Sequence, residues 1–269
     1  MYLFQFSNEE MLTFFAVLVR YSVLFALIPF VGDRFVPAPV KVLLALSVTM
    51  VAFPQLVHTG VVNVEAAKAW GASVSGITTT LGLEALFGLT LAFVARLTFD
   101  AIVFGANLSG HFMGFAAASS YDPHQETQTQ VVAEVQLALA MMLFLAIDGH
   151  HLLIRSTIDS YGTVGIGAFQ VTKSFAQVLI KMTADVITFG VQIAAPVAVS
   201  LFAVNVAFGV MSKAMPQLNV LVLSFAVTAL VGLLVLGLGL PEFQAGVKEI
   251  YVRGFEWLEA AKRTIGQGV

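Results

Sequence analysis

The chain has 269 residues, of which 58% are hydrophobic and only 11% charged, and its mean hydropathy is +0.91. A soluble domain carries about 25% charged residues, so this one has too little charge to coat a water-facing surface, and much of its apolar surface must face lipid or other apolar protein. A net charge of −3 with no basic block excludes a nucleic-acid binder. The absence of cysteine excludes a disulfide framework, a thiolate metal site and a thiol nucleophile.

The N-terminal MYLFQFSNEE places acids before the first apolar run. A secretory signal starts basic and ends at a small-residue cleavage site, so the expectation is insertion by an uncleaved first helix. Spanning the hydrocarbon core takes roughly 20 apolar residues as helix. On that measure spans are expected over 11–31, 40–57, 71–94, 131–147, 186–211 and 218–240, with 40–57 and 131–147 short. Pro29, Pro54, Pro196, Gly232, Gly237 and Gly239 recur within or beside these runs. A proline in a span frees a carbonyl that needs a new partner, so such kinks face protein. Residues 99–115, FDAIVFGANLSGHFMGF, mix large apolar groups with Asp100, Asn107 and His111, which predicts a helix buried against protein.

The stretch that follows, residues 114–130, reads GFAAASSYDPHQETQTQ: small residues first, then polar ones. Gly114 permits backbone geometries closed to other residues, and Asp122-Pro123 favours a turn. Ala116, Ala117, Ala118, Ser119 and Ser120 are small enough to pack closely, with Phe115 and Tyr121 the only bulky apolar groups. The residues alone leave two readings open, a channel plug and an ordinary exposed turn. At the C-terminus, about 242–264 is amphipathic and charged, as expected of a surface or interfacial helix. Arg34, Lys41, Lys68, Arg155, Lys173 and Lys213 fall in loops that favour no side of a membrane. No repeat or linker marks a second domain, and one domain over 1–269 is expected.

Ionisable groups inside apolar helices cost about 2.5–3.5 kcal/mol each on insertion scales. The apolar runs here hold Arg20, Glu84, Arg96, Asp100, Glu134, Lys181 and Asp185. Arg96 and Asp100, and Lys181 and Asp185, are spaced to neutralise each other along one helical face. A charge relay through a bundle is the alternative, and the self-contained spacing favours pairing. Glu84 and Glu134 have no local partner, so they are expected at contacts between subunits. His150 and His151 point about 100° apart on a helix and are not expected to share a metal. Ser119, Ser120 and His124 lack the elbow and oriented acid of a nucleophile set. Neither an enzyme nor a cofactor is expected.

Four blocks carry a resemblance. PFVGDRFVPAPVKVLLALSVTMVAFPQL, through Pro29, Val36, Pro37, Val40, Lys41 and Leu46, resembles the first loop and second helix of the FliR family, the type III export-gate subunit of bacterial flagella, whose injectisome homologue is called SctT. MGFAAASSYDPHQETQTQ matches the family's central segment at Asp122 and Pro123. IDGHHLLI resembles its N-G-H block, with Asp148 where Asn is usual. PVAVSLFAVNVAFGVMSKAMPQLNVLVLSFAVTALVG matches at Pro196, Asn205, Gly209, Pro216, Gln217, Asn219, Phe225 and Gly232, with Lys213 where Arg is common.

The resemblance covers nearly the whole chain and is closer to the flagellar than to the virulence branch. It implies an all-α fold of kinked helical hairpins in a closed helical assembly with FliP-like and FliQ-like subunits. FlhB-like and FlhA-like components are further implied partners, with the membrane and unfolded flagellar substrates in transit; no nucleic acid is implied. The implied location is the flagellar basal body at the bacterial inner membrane, with the complex raised toward the periplasm. Residues Met113, Gly114, Phe115, Ala116, Ala117, Ala118, Ser119, Ser120, Tyr121, Asp122 and Pro123 would then form a plug in the channel. Glu84, Arg96, Asp100, Glu134, Lys181, Asp185, Pro196, Asn205, Pro216, Gln217 and Asn219 would be structural or intersubunit residues. The main alternative is a small-solute secondary transporter with Glu84, Glu134, Lys181 and Asp185 at a midplane site, against which the halves show no duplication. A structural subunit of a membrane enzyme complex is a second.

Overall fold

A computed structural model describes residues 7–29, 31–32, 36–114, 128–217 and 219–266. Within them the order is α1 (Asn8–Leu27), α2 (Ala38–His58), α3 (Ala67–Trp70), α4 (Val74–Phe112), α5 (Gln128–Ala146), α6 (Gly149–Asp159), α7 (Lys173–Ala214), α8 (Val220–Leu238) and α9 (Leu240–Gly266), with short 3-10 turns at Val64–Ala66 and Ser160–Gly162. The described residues contain no strand. Four helices are long and apolar enough to cross a membrane, or up to six if each of two bent pairs counts as one span. The expected all-α, membrane-type fold is what the chain adopts.

The chain starts helical because SNEE is a capping box. The Ser7 hydroxyl accepts from the Glu10 N–H at 3.1 Å, and the Glu10 carboxylate accepts from the Ser7 N–H at 2.8 Å, so two donors at the helix start are satisfied reciprocally. Glu10 therefore has a folding role as part of the helix cap. Two expected elements, 71–94 and 99–115, prove to be one 39-residue helix, α4. The polar patch between them, Arg96 to Asp100, interrupts the hydropathy but contains no proline or cap to stop a helix. Likewise 186–211 is the apolar part of the 42-residue α7, which starts earlier and runs through Pro196. The last run breaks at Gly239, where α8 and α9 bend by 65° and Pro241 follows. Between α5 and α6, Asp148 takes a left-handed φ of 55°. Asn and Asp tolerate that region better than other non-glycine residues, so Asp148 suits the turn.

The sequence marks no second domain, but contacts divide the chain into two interleaved units: Met1–Leu97, Gly149–Met182 and Gly254–Val269 in one, Thr98–Asp148 and Thr183–Arg253 in the other. No linker announces the division, because α4, α7 and α9 each contribute one part to each unit. In the first unit α1 packs on α2 and α3, with Ala16, Val17, Tyr21 and Leu24 buried and Phe14 edge-on to Phe53 at 5.5 Å. Near the C-terminus, buried Lys262 donates to the Ser156 hydroxyl at 2.9 Å and pairs with Glu259, fastening α9 to α6. In the second unit Phe99, Phe144 and Tyr251 form a ring triangle with centroids 5.1–5.4 Å apart. The Tyr251 hydroxyl donates to the Ala140 carbonyl at 2.7 Å. Such aromatic pairs add about 0.5–1.5 kcal/mol each beyond area burial, and these tie α4, α5 and α9 together.

Much apolar surface stays uncovered. The most apolar candidate span lies in α7 and is only 17% buried. Ile180, Ile187, Val191, Val199, Phe202, Val206 and Val210 are all exposed, at spacings that place them along one helical stripe.

Candidate functional site

Of the central segment singled out by the sequence, the structure describes Met113 and Gly114 on one side and the residues from 128 on the other. Residues 115–127, which include Phe115, Ala116, Ala117, Ala118, Ser119, Ser120, Tyr121, Asp122 and Pro123, lie outside the described residues. Met113 and Gly114 lie inside. Met113 is 1% exposed and sits in a cluster with Val132, Val197 and Leu201. Its carbonyl accepts from the Thr228 hydroxyl at 3.4 Å. Gly232 makes room for it: a Cβ there would stand 2.5 Å from the Met113 side chain. Gly114 then turns the chain with φ 84°, against Phe225, a conformation that favours glycine. Val132, on α5, belongs to the same cluster as Met113. Met113 and Val132, on either side of the central segment, thus share one buried cluster.

A second construction holds the first unit together. Arg20 on α1 is fully buried, and Glu84 on α4 is 1% exposed. Arg20 Nε donates to Glu84 Oε2 at 2.7 Å and Nη2 to Oε1 at 3.0 Å, a bidentate pair. Nη1 donates to the Ser160 hydroxyl at 2.9 Å and Nη2 to the Val164 carbonyl at 3.3 Å. Glu84 Oε1 also accepts from the Gly167 N–H at 3.0 Å. The guanidinium lies between aromatic faces, its Cζ 4.4 Å from the Phe87 centroid and 3.8 Å from that of Tyr161. A desolvated guanidinium is tolerated only where nearly every N–H is used and the charge is matched, and both conditions hold. The helices meet this closely because residue 88 is glycine. A Cβ there would stand 2.6 Å from the Arg20 carbonyl oxygen.

Glu84, expected to face a sister subunit for want of a local partner, is thus held by Arg20 of the same chain, 64 residues away. Glu134 is exposed on α5. Arg96 is exposed and Asp100 half-buried on α4; Lys181 is exposed and Asp185 half-buried on α7. Pro196 lies within α7, and Asn205 is exposed further along it. Pro216 and Gln217 make the exposed turn after α7. Asn219 caps α8, its side chain accepting from the Val222 N–H at 3.4 Å. His150 and His151, expected to diverge, have ring centroids 4.1 Å apart. With Asp148, which precedes α6 at a left-handed φ, their ligating atoms lie within 4.8 Å of one another. Sequence reasoning missed Ser160, Tyr161 and Gln136. Gln136 was open to detection, as an amide inside the apolar run VVAEVQLALA.

The sequence matches the family described as bacterial export proteins, family 1, over residues 11–253. The chain belongs to that family, and within it to the FliR group. It is 30% identical over 245 residues to the flagellar biosynthetic protein FliR of Pectobacterium carotovorum subsp. carotovorum, covering 91% of this chain and 90% of that one. It is 27% identical to FliR of Escherichia coli (strain K12), over 88% of this chain and 89% of that one, and 26% identical to FliR of Bacillus subtilis (strain 168), over 83% and 84%.

Proposed function

We propose that this chain is a wall and gate subunit of the flagellar type III protein export apparatus. Its helices stack against FliP-like and FliQ-like subunits around a conduit for unfolded substrates, and the segment 114–127 closes the bore at rest. Family membership and the flagellar relatives support the export assignment.

The uncovered stripe on α7 carries the structural side of the proposal. In the second unit it runs from Ile187 to Val210, a contiguous apolar face that lipid or apolar protein must cover; on this reading sister subunits cover it. The common footing of Met113 and Val132 supports the gate, since a segment with both ends fixed can move at its tip without disturbing its base. The position at the inner membrane, raised toward the periplasm, belongs to the same proposal.

A transporter is the less favoured reading. Both Glu84 oxygens are engaged inside a buried cluster, which leaves that carboxylate no part in a solute path.

Detergent extraction with identification of co-purifying chains tests the assignment. The expected result is a stable complex with FliP-like and FliQ-like subunits, from which this chain cannot be stripped without aggregating. A well-behaved solitary protein that binds a small solute would overturn it.

A further inference from the structure

In the second unit, α5, α7, α8 and α9 enclose an open groove of about 570 Å³. Its walls are mostly apolar, among them Val135, Phe189, Leu233 and Phe243. Three features do not suit an empty apolar cleft. Gln136 lines it, is 4% exposed, and finds no hydrogen-bond partner for either its amide nitrogen or its amide oxygen among the described residues. Pro196, also in the lining, has no N–H to donate, so the carbonyl of Gln192 one turn earlier loses its usual helical donor. At the rim stand Glu242 and Glu249, both exposed and two turns apart on one face of α9, and among the described residues no lysine or arginine lines the groove.

We propose that this groove is the docking site for an apolar segment of a partner protein, one that carries a side-chain amide or hydroxyl at its middle and a Lys or Arg toward one end. The amide or hydroxyl pairs with the buried Gln136 amide, whose burial is unfavourable while it stays unpaired, and the carbonyl of the exposed Gln192 offers a further acceptor. The cation meets the two rim carboxylates, which fixes the direction in which the segment lies. A lipid chain would cover the same walls but leave the amide unpaired, and its phosphate would face two carboxylates. The proposal rests on the reading that sister subunits cover this chain's apolar faces, and it adds which face and which chemistry.

The test uses the full chain in native membranes with a photo-cross-linking amino acid in place of Leu233. The expected adduct is to another protein, and sequencing of the linked peptide shows an apolar stretch bearing Ser, Thr, Asn or Gln and a Lys or Arg. Gln136→Leu removes the orphaned amide without enlarging the side chain. It leaves folding intact while lowering the adduct about tenfold, the size of shift that loss of one such buried pairing produces. Glu242→Lys with Glu249→Lys, at exposed positions, lowers it as much. An adduct to lipid alone, to a second copy of this chain, or to a peptide without those residues overturns the inference, as does an adduct indifferent to both variants. If co-purification with sister subunits persists in any of these cases, the export assignment stands and only the groove's role falls.

Discussion

Replacing Glu84 by Gln lowers the thermal unfolding midpoint of the detergent-solubilised protein by about 10 °C. The substitution preserves shape but leaves the Arg20 guanidinium charged and unmatched. Removing one partner of a buried pair costs about 3–5 kcal/mol, and about 1 kcal/mol corresponds to 2–4 °C in a chain near this length. Arg20→Met produces a loss of similar size, because it strands Glu84 and also vacates the faces of Phe87 and Tyr161. The double variant Arg20→Met, Glu84→Leu recovers most of the loss, since an apolar pair needs no charge matching. The double-mutant cycle on unfolding midpoints is the check, with strong non-additivity expected. Losses that simply add would show that the pair does not act as a unit.

Deleting residues 115–120 opens the assembled complex to small ions. The deletion spares Gly114 and its turn against Phe225, and residues 121–131 remain to join Met113 to Val132, so the buried footing of the segment persists. Assembly is therefore retained while the small-residue part of the closure is lost. The expected result is an ion flux through vesicles bearing the complex that rises above that of the intact chain. Flux equal to the intact chain's, with all subunits present, would place the closure elsewhere.

The helical class and most helix positions were legible because hydropathy and proline placement are local signals. The exceptions are instructive. Arg96 to Asp100 looked like a boundary because polarity rose there, yet helices end at caps and prolines rather than at charges, so α4 continues. SNEE was read for its charge, while its spacing encoded a cap. Arg20 and Glu84 were each recognisable as costly, but their pairing joins positions 64 residues apart and depends on glycine 88, a packing fact that no local window contains. Gln136 carries no charge, and its one signal in the sequence is that an amide interrupts the apolar run VVAEVQLALA. The central segment is marked in the sequence by its resemblance to a family pattern, and residues 115–127 lie outside the described residues; the structure adds the cluster shared by Met113 and Val132.

The central claim is that greasy helices wrap a conduit with residues 114–127 in its bore. Because the chain has no cysteine, Ser119→Cys supplies a single thiol, and the most direct measurement is its cross-linking to a substrate stalled in transit through the assembled apparatus. The account predicts a substrate cross-link, together with protection of the thiol from a bulky impermeant reagent when no substrate is present. Free labelling from the bulk in the assembled apparatus, with no link to the substrate, would contradict it.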